Sequence, residues 1–460
     1  MSGSSGTPEP FEPLLPEKLK FHILTWGCQM NDHDAEKMSG LLAAAGHRRA
    51  DGIEDADLVL LNTCSVREKA AQKVFSELGR LRRAKADRAN RAVKPMILGV
   101  TGCLAQQEKE KIFKRAPHVD LVMGTMALKQ LPRLVAEAAS GAGRVIDTAF
   151  YADNHIFPHA LTKRAPTAKA LVSIIEGCNH ACTYCVVPTT RGSERHRPAS
   201  DILAEVSRLV EQGYREIELL GQNVNSYRGG CTFAELLSKV AEIDGLEWIR
   251  FTTSHPVDFT RELANTMLTV PKVAPFLHLP IQSGSDSVLR RMGRGYTSRD
   301  YLDRIAHLGE GRPDICLSTD FIVGFPGETE RDFEATMDML ERVAFDASFS
   351  FVYSPRPHTP ALRLADDVPM ALKRERLARL QARQTELTHV SHRREVGKIL
   401  KVRIEGQGSK DGRWLARTAK WRNVRLENPR GLPVPSMPFG RLVDALITDA
   451  GPHWLKGEVV

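Results

Sequence analysis

Residues 177–192, GCNHACTYCVVPTTRG, decide how the middle of the chain is interpreted. Cys178, Cys182 and Cys185 form a C-x3-C-x2-C triplet, so three thiolates can surround one metal centre. A structural zinc site takes four protein ligands, whereas an iron–sulfur cube held by three cysteines keeps one iron open. The apolar run 170–176 is typical of a strand, and catalytic groups of α/β folds lie in the loops after strands. Inert thiols, zinc and an iron–sulfur cluster all remain possible from the residues alone, and the spacing favours the cluster.

This spacing resembles that of the radical S-adenosylmethionine (SAM) enzymes. The resemblance implies that Cys178, Cys182 and Cys185 hold a [4Fe–4S] cluster whose fourth iron is chelated by SAM. It also implies that an electron from the reduced cluster splits SAM to give a 5′-deoxyadenosyl radical. Because the cofactors carry this chemistry, no side chain is predicted to act as a catalytic residue itself.

A second set of cysteines lies upstream, in three motifs that each follow a predicted strand. The predicted strands span residues 21–25, 57–61, 96–100 and 121–123. Cys28, Cys64 and Cys103 follow the first three of them, in GCQMN, NTCSVRE and TGCLAQQE. Helical patterns separate the strands, which predicts a parallel-sheet α/β domain whose post-strand loops share one edge. The three thiols are therefore expected to meet; the alternative, unrelated core cysteines, would place them within strands.

Three such motifs ahead of a radical-SAM triplet resemble the methylthiotransferases. The resemblance implies that Cys28, Cys64 and Cys103 bind an auxiliary [4Fe–4S] cluster whose open iron carries the sulfur to be inserted. Two [4Fe–4S] clusters and SAM are therefore the expected cofactors.

The central region predicts an open (β/α)6 barrel, which matches the radical-SAM fold. Its six strand candidates span residues 170–176, 216–220, 248–252, 276–281, 316–323 and 348–353. Gly221 and Gln222 follow the second strand, and Gln282 and Ser283 follow the fourth. We predict that these four residues contact SAM, with a turn or cap role as the equally weighted alternative. Cys231 and Cys316 belong to neither triplet and are interpreted as packing residues.

The C-terminal region predicts a basic helix over residues 368–395 and then a small β-barrel. The barrel resembles a TRAM domain, which implies RNA binding; a structural or dimerising barrel is the alternative. Its basic cluster around one aromatic ring is predicted to contact RNA. The cluster consists of Arg417, Lys420, Trp421, Arg422 and Arg425.

Composition agrees with a polyanionic partner. The 460 residues include 64 Lys and Arg against 56 Asp and Glu, a formal net charge of +8. The excess is concentrated in two basic runs, residues 80–94 and 373–401, each of which is also explained by a solvated helix face. The patterned cysteines predict a reducing cytoplasm, and no run approaches the about 20 apolar residues of a membrane span. Residues 1–19 are predicted to be a disordered leader.

Within the methylthiotransferases, GCQMN, NTCSVRE and GFPGET most resemble the branch that acts on isopentenylated tRNA. The resemblance implies methylthiolation at C2 of N6-isopentenyladenosine at position 37, next to the anticodon, with one SAM giving a methyl group and a second giving the radical. It also implies a reductase, flavodoxin or ferredoxin as electron donor, and a monomer is expected. The alternatives are the branches that modify threonylcarbamoyl-adenosine or a ribosomal-protein aspartate, and a non-catalytic RNA-binding protein.

The predicted domains are residues 20–150 (auxiliary cluster), 164–395 (radical-SAM core with its trailing helix) and 396–460 (TRAM-like).

Overall fold

The structure is a computed structural model that describes residues 18–65, 68–90, 94–141, 143–151, 157, 161–164, 168–309, 315–408, 413–427 and 439–460. The chain forms two compact units. The first consists of Met1–Ala165 and Val186–Ser193, and the second of Pro166–Cys185 and Glu194–Val460. Of the predicted leader, residues 1–17 lie outside the described part of the chain.

A six-stranded sheet organises the first unit. Its strands are β1 (Lys20–Trp26), β2 (Arg48–Arg49), β3 (Leu58–Thr63), β4 (Ile97–Gly102), β5 (Leu121–Met123) and β6 (Val145–Asp147). They lie in the order β2-β1-β3-β4-β5-β6, and every neighbouring pair is parallel. The predicted parallel sheet is confirmed, and β2 and β6 add two short edge strands. Every residue of β3 and β4 is buried, as expected for central strands covered on both faces.

Helices on both faces of this sheet complete the first unit. They are α1 (Gln29–Ala44), α2 (Glu68–Asn90), α3 (Cys103–Glu108), α4 (Lys111–Arg115), α5 (Leu131–Ala139) and α6 (Val187–Arg191). One apolar core includes Val59, Val74 and Leu78, and the other includes Met38 and Leu41 of α1. The sixth helix directly follows the 177–185 cysteine segment in sequence but belongs to this unit.

Six parallel strands in two sheets form the centre of the second unit. They are β7 (Ala170–Ser173), β10 (Glu216–Leu220), β11 (Trp248–Phe251), β12 (Phe276–His278), β13 (Cys316–Val323) and β14 (Ala347–Val352). The sheets have the orders β11-β10-β7 and β12-β13-β14, and a parallel bridge joins Ile249 of β11 to Val273, which precedes β12. A two-stranded antiparallel pair, β8 (Ile175–Glu176) with β9 (Arg195–His196), follows β7. All six predicted strands are present, and the open (β/α)6 architecture is confirmed.

Helices separate the barrel strands and follow them. They are α7 (Ala199–Glu211), α8 (Phe233–Ala241), α9 (Arg261–Thr269), α10 (Asp286–Arg291), α11 (Ser298–Ile305), α12 (Glu330–Val343) and α13 (Met370–Arg393). Threonines begin several of them: Thr232, Thr297 and Thr329 each accept a hydrogen bond from the backbone N–H three residues later. These caps satisfy N–H groups that the helix itself leaves unpaired.

A closed five-stranded barrel ends the chain. Its strands are β15 (Ile399–Gln407), β16 (Trp414–Thr418), β17 (Asn423–Glu427), β18 (Leu442–Gly451) and β19 (Trp454–Val459), in the order β15-β16-β17-β19-β18. The predicted small β-barrel is confirmed, with β17 as a strand that the sequence pattern did not reveal. It belongs to the same compact unit as the central barrel.

A buried ionic network joins the two barrels. Glu216, the first residue of β10, accepts hydrogen bonds from Arg250 Nε at 2.6 Å and from Arg403 Nε at 2.7 Å. Arg250 also donates to the carbonyl of Thr418 at 2.9 Å, and the Trp421 ring stacks on Phe276 with centroids 5.4 Å apart. Glu216 and Trp248 begin their strands, so the turn after β16 meets the N-terminal end of the central barrel, opposite the loops that follow the strands.

Candidate functional site

The cysteine loop after β8 is fixed at several points within the second unit. Gly177 donates its N–H to Gln222 Oε1, and Thr183 donates its N–H to the Met292 carbonyl at 2.9 Å. A side chain at Gly293 would place its Cβ 2.9 Å from the Ala181 carbonyl oxygen, so the close approach requires glycine. Contacts with residues outside the loop therefore fix the conformation of its backbone.

Cys182 is the buried member of the triplet, and Cys178 and Cys185 are half-buried. Burial raises the pKa of the Cys178 thiol to about 11. Arg294 donates from Nη1 to Cys182 Sγ at 3.2 Å. The loop therefore presents three thiols, one of which already receives a hydrogen bond from a cation.

Two histidines and an aspartate lie beside this loop. His180 Nε2 is 2.7 Å from Asp258 Oδ2, and the rings of His180 and His255 are stacked with centroids 3.8 Å apart. Burial, with Arg294 nearby, holds the pKa of His255 far below its usual value, so its ring is neutral. Burial opposes ionisation of Asp258, but hydrogen bonds from His180 and Asn223 lower its pKa. The three residues have ligand atoms within 4.8 Å of one another, and this hydrogen bonding accounts for their proximity.

The three upstream cysteines come together at one edge of the first unit's sheet. Cys28 precedes α1, Cys64 follows β3 and Cys103 begins α3. A hydrogen bond with Cys64 is the main reason why the pKa of Cys28 falls to about 6, against the effect of burial. Burial raises the pKa of Cys103, while its thiol interacts with Arg191 and Cys28. Cys28 thus interacts with both Cys64 and Cys103, and binding of one centre by the three thiols stays a prediction.

Two asparagines in the cysteine motifs hold the strand ends together. Asn62 donates from Nδ2 to the Asn31 carbonyl at 2.7 Å, and Asn31 Oδ1 accepts from the Cys28 N–H at 3.3 Å. Gly102 has φ +84, and a Cβ there would lie 2.4 Å from Asn62 Oδ1. The Asn and Gly residues of GCQMN, NTC and TGC thus position the loops that carry the thiols.

Arg191 brings a buried positive charge to the upstream thiols. Its Nη2 donates to Asp34 Oδ2 at 2.7 Å, and both side chains are buried. The same guanidinium hydrogen-bonds the Cys103 thiol. A cation in this position favours thiolate, the form that binds a metal.

Both triplets fit an iron–sulfur cluster better than a single zinc ion. A structural zinc site takes four protein ligands, whereas each triplet consists of three free thiols. Three soft sulfur donors suit a cluster that keeps one iron open.

The predicted SAM-contact residues after β10 have structural partners. A Cβ at Gly221 would lie 2.2 Å from the Ile175 side chain, so this glycine permits close packing of the end of β10 against β8. Gln222 accepts the Gly177 N–H and so supports the start of the cysteine loop. For both residues, the geometry supports a positioning role, and direct contact with SAM stays a prediction.

The two predicted SAM-contact residues after β12, Gln282 and Ser283, differ in their surroundings. Ser283 is fully buried, and its hydroxyl bonds Thr336 Oγ1 at 3.2 Å and accepts the Ser285 N–H, which favours the turn role. Gln282 has φ +76, a conformation that non-glycine residues rarely adopt and that is concentrated at functional sites. Gln282 is therefore the stronger candidate of the two for contact with SAM.

Three parts of the chain each match the profile of a known protein family. The profile of the "Uncharacterized protein family UPF0004" matches residues 20–124, the "Radical SAM superfamily" matches 172–340, and the "TRAM domain" matches 393–460. The tRNA-2-methylthio-N(6)-dimethylallyladenosine synthase of Aeromonas hydrophila is 46% identical over 95% of this chain and 91% of its own length. The synthase of the same name from Actinobacillus pleuropneumoniae is 48% identical over 96% and 92%.

The chain belongs to this synthase family. A solved structure shares its fold: the radical SAM methyltransferase TsrM from Kitasatospora setae, with cobalamin and a [4Fe-4S] cluster bound, has a TM-score of 0.54 at 15% identity and covers 74% of each chain. The radical SAM membership implies a [4Fe–4S] cluster and SAM. No helix in the described ranges combines the length and the apolar character needed to cross a membrane.

In this synthase-family chain, most residues of the predicted RNA-binding cluster are paired with other residues of the protein. Arg417 forms a two-point ion pair with Glu405 at 2.7 and 2.9 Å. Arg422 is buried and donates to the Ser391 carbonyl at 2.8 Å, and Trp421 packs on the central barrel. Lys420 lies 3.4 Å from Glu395. Burial removes Arg422 from an RNA-facing surface. Arg417, Lys420 and Trp421 are half-buried, and for them contact with RNA stays a prediction.

Arg425 differs from the rest of the cluster. It is exposed, and its guanidinium lies 5.3 Å from the centre of the Trp454 ring. The basic run of α13 is likewise paired in part, since Arg376 and Arg379 contact Glu330 and Arg383 contacts Glu341. Exposed basic residues of α2 include Arg82 and Arg83.

Sequence reasoning missed Arg191 and Arg294. Arg294 stands in the segment RMGRGYT, between Gly293 and Gly295, which have φ +68 and +71. An arginine between two glycines after a short helix is the signal that was available. Arg191 lies within the opening stretch itself, but its partner Asp34 is distant in sequence, so no local pattern indicated their contact.

Proposed function

We propose that this protein is a radical SAM methylthiotransferase that adds a methylthio group to C2 of N6-isopentenyladenosine at position 37 of tRNA. One observation carries this proposal: 46% identity over 91% of the length of a synthase named for that product. The presence of both cysteine triplets in separate α/β frameworks supports it, since insertion of sulfur at an aromatic C–H needs a radical source and a sulfur carrier.

The chain's own residues have holding and orienting roles in this proposal. Cys178, Cys182 and Cys185 would bind the SAM-cleaving cluster, which when bound would supply the electron that splits SAM to the 5′-deoxyadenosyl radical. Gln222 keeps the start of their loop in place. Gln282 is proposed to contact SAM.

A second, auxiliary [4Fe–4S] cluster is proposed at Cys28, Cys64 and Cys103. The shared strand edge, the Asn31–Asn62 contacts and the cationic Arg191 support this assignment. A thiolate set with one open iron would keep a coordination position for sulfur.

The proposed partners are tRNA, SAM and a reductase, flavodoxin or ferredoxin that supplies electrons, with the protein acting as a monomer in the cytoplasm. All eight cysteines are free thiols, which agrees with a reducing compartment. The exposed Arg425 beside Trp454 is the described part of the predicted cluster that suits contact with RNA.

Mass spectrometry of tRNA nucleosides tests the proposal. A strain without this gene should accumulate N6-isopentenyladenosine and lose its 2-methylthio form, and the intact gene should restore it. Loss of methylthiolated threonylcarbamoyl-adenosine, or of a modified ribosomal-protein aspartate, would instead assign one of the other two branches. An unchanged nucleoside profile, together with purified protein that holds no iron and leaves SAM intact, would refute the enzymatic function.

A further inference from the structure

Arg294 is a fully enclosed cation beside the cysteine loop. Its side chain is 5% exposed, and each of its three nitrogens has a partner. Nε donates to Tyr296 Oη at 2.9 Å, Nη2 to the Pro280 carbonyl at 2.9 Å, and Nη1 to Cys182 Sγ at 3.2 Å and Tyr184 Oη at 3.4 Å.

None of these partners is a carboxylate, within the part of the chain that the structure describes. Tyr184 and Tyr296 meet the guanidinium through their phenol oxygens, and a phenol is ordinarily neutral near pH 7. A buried guanidinium without a compensating anion is costly, and other enclosed arginines of this chain illustrate the usual solution. Arg376, for example, contacts Glu328 at 2.9 Å.

Among the described partners of Arg294, the remaining group that can carry a negative charge is the Cys182 thiol. Its sulfur receives the Nη1 hydrogen bond at 3.2 Å and lies 4.0 Å from His255 Nε2. The site thus holds a fixed positive charge directed at one thiol of the triplet. A thiolate that binds an anionic cluster would supply the missing counter-charge.

We propose that Arg294 is the built-in counter-charge of the SAM-cleaving cluster, hydrogen-bonded to the Cys182 thiolate, and that it makes this cluster easier to reduce. The proposal rests on the assignment of Cys182 as a cluster ligand. One-electron reduction adds a negative charge to the cluster, and a cation at a thiolate ligand stabilises the more negative state. Hydrogen bonds to sulfur and nearby charge are the means by which proteins adjust such potentials.

Redox titration of the holoenzyme, followed by electron paramagnetic resonance with and without SAM, tests this role. The signal that changes when SAM is added belongs to the SAM-cleaving cluster, which separates it from any auxiliary cluster. Arg294→Gln should lower the equilibrium constant for reduction about tenfold, or about 59 mV for a one-electron couple. Arg294→Lys, which keeps the charge but not the planar donor geometry, should give a smaller shift in the same direction.

Two further variants make the test decisive. Arg290→Gln removes an exposed arginine four residues away and should leave the potential unchanged. Tyr296→Phe removes the acceptor that orients Arg294 Nε and should lower the potential slightly, so it serves as the test if Arg294→Gln fails to hold the cluster. The proposal is overturned if the SAM-sensitive signal of the Arg294→Gln holoenzyme titrates at the wild-type potential. If Arg294→Gln holds no cluster, a wild-type potential in Tyr296→Phe overturns it instead. Absence of any SAM-sensitive signal from the wild-type protein would instead overturn the cluster assignment on which it rests.

Discussion

Replacing Glu216 with Gln should destabilise the contact between the two barrels of the second unit. Glu216 is the shared anion of two enclosed arginines, Arg250 at 2.6 Å and Arg403 at 2.7 Å, and all three side chains are at most 5% exposed. Gln keeps the shape of the side chain but removes the carboxylate that the two arginines share, so Arg250 loses its ion-pair partner and Arg403 keeps the exposed Glu247 at 2.9 Å. Removal of one partner from a buried ion pair costs about 3–5 kcal/mol. At about 2 °C per kcal/mol for a unit of this size, Tm should fall by about 6–10 °C.

Urea unfolding followed by tryptophan fluorescence measures this loss, because Trp248 and Trp421 both lie against Arg250. Hydrogen exchange should be faster in residues 418–422, the turn in which the Thr418 and Ala419 carbonyls accept hydrogen bonds from Arg250 in the native protein. Asp444→Asn is the matched control: its pair with Lys401 is 48% and 68% exposed, and such pairs contribute about 0.2–1 kcal/mol. A Glu216→Gln protein within about 0.5 kcal/mol of wild type, with unchanged exchange in that turn, would refute the reasoning.

Three further predictions concern the thiols and the RNA surface. Cys182→Ala should abolish 5′-deoxyadenosine formation, whereas Cys64→Ala should retain some SAM cleavage but stop sulfur insertion; methylthiolated tRNA from the Cys64 variant would contradict the auxiliary-site assignment. In the protein before cluster insertion, the pKa of about 6 makes Cys28 mostly thiolate at pH 7, whereas the pKa of Cys178 is about 11. Iodoacetamide should therefore label Cys28 well before Cys178. Equal labelling of the two peptides in mass spectrometry would contradict this prediction. Arg425→Ala should weaken tRNA binding and reduce its salt dependence by about one phosphate contact, while Arg290→Ala should not; a filter-binding slope identical to wild type would contradict the contact.

Much of the framework followed from the sequence because its signals are local. The apolar runs that become β3, β10 and β13 are short and bounded by polar loops, and the cysteines lie directly after strands, so parallel topology alone predicts that Cys28, Cys64 and Cys103 meet. The assembly of the two barrels was not predictable in this way. It depends on pairs such as Glu216 with Arg403, which are far apart in the chain and carry no periodic pattern.

The position of Ser283 shows a second limit of the sequence patterns. A polar residue after a barrel strand suggests a ligand contact, but the same position also needs side chains that satisfy turn N–H groups, and Ser283 bonds Thr336 and the Ser285 N–H. Gln282, one residue earlier, has the unusual φ of +76. Only backbone geometry separates these two roles, and backbone geometry is not encoded in residue type.

The number of arginines was the least reliable guide to the surface charge of the protein, because many arginines are buried. The net charge of +8 favoured a polyanionic partner, yet Arg250, Arg376 and Arg403 are enclosed and face glutamates, so they contribute nothing to an external surface. A guanidinium can be buried when carboxylates and carbonyls satisfy its donors, and proteins often use it in this way. Arg294 departs from that rule, since its described partners include no carboxylate. A cation that the polypeptide leaves uncompensated, with one nitrogen directed at Cys182, implies that the balancing negative charge arrives with whatever the cysteine loop binds.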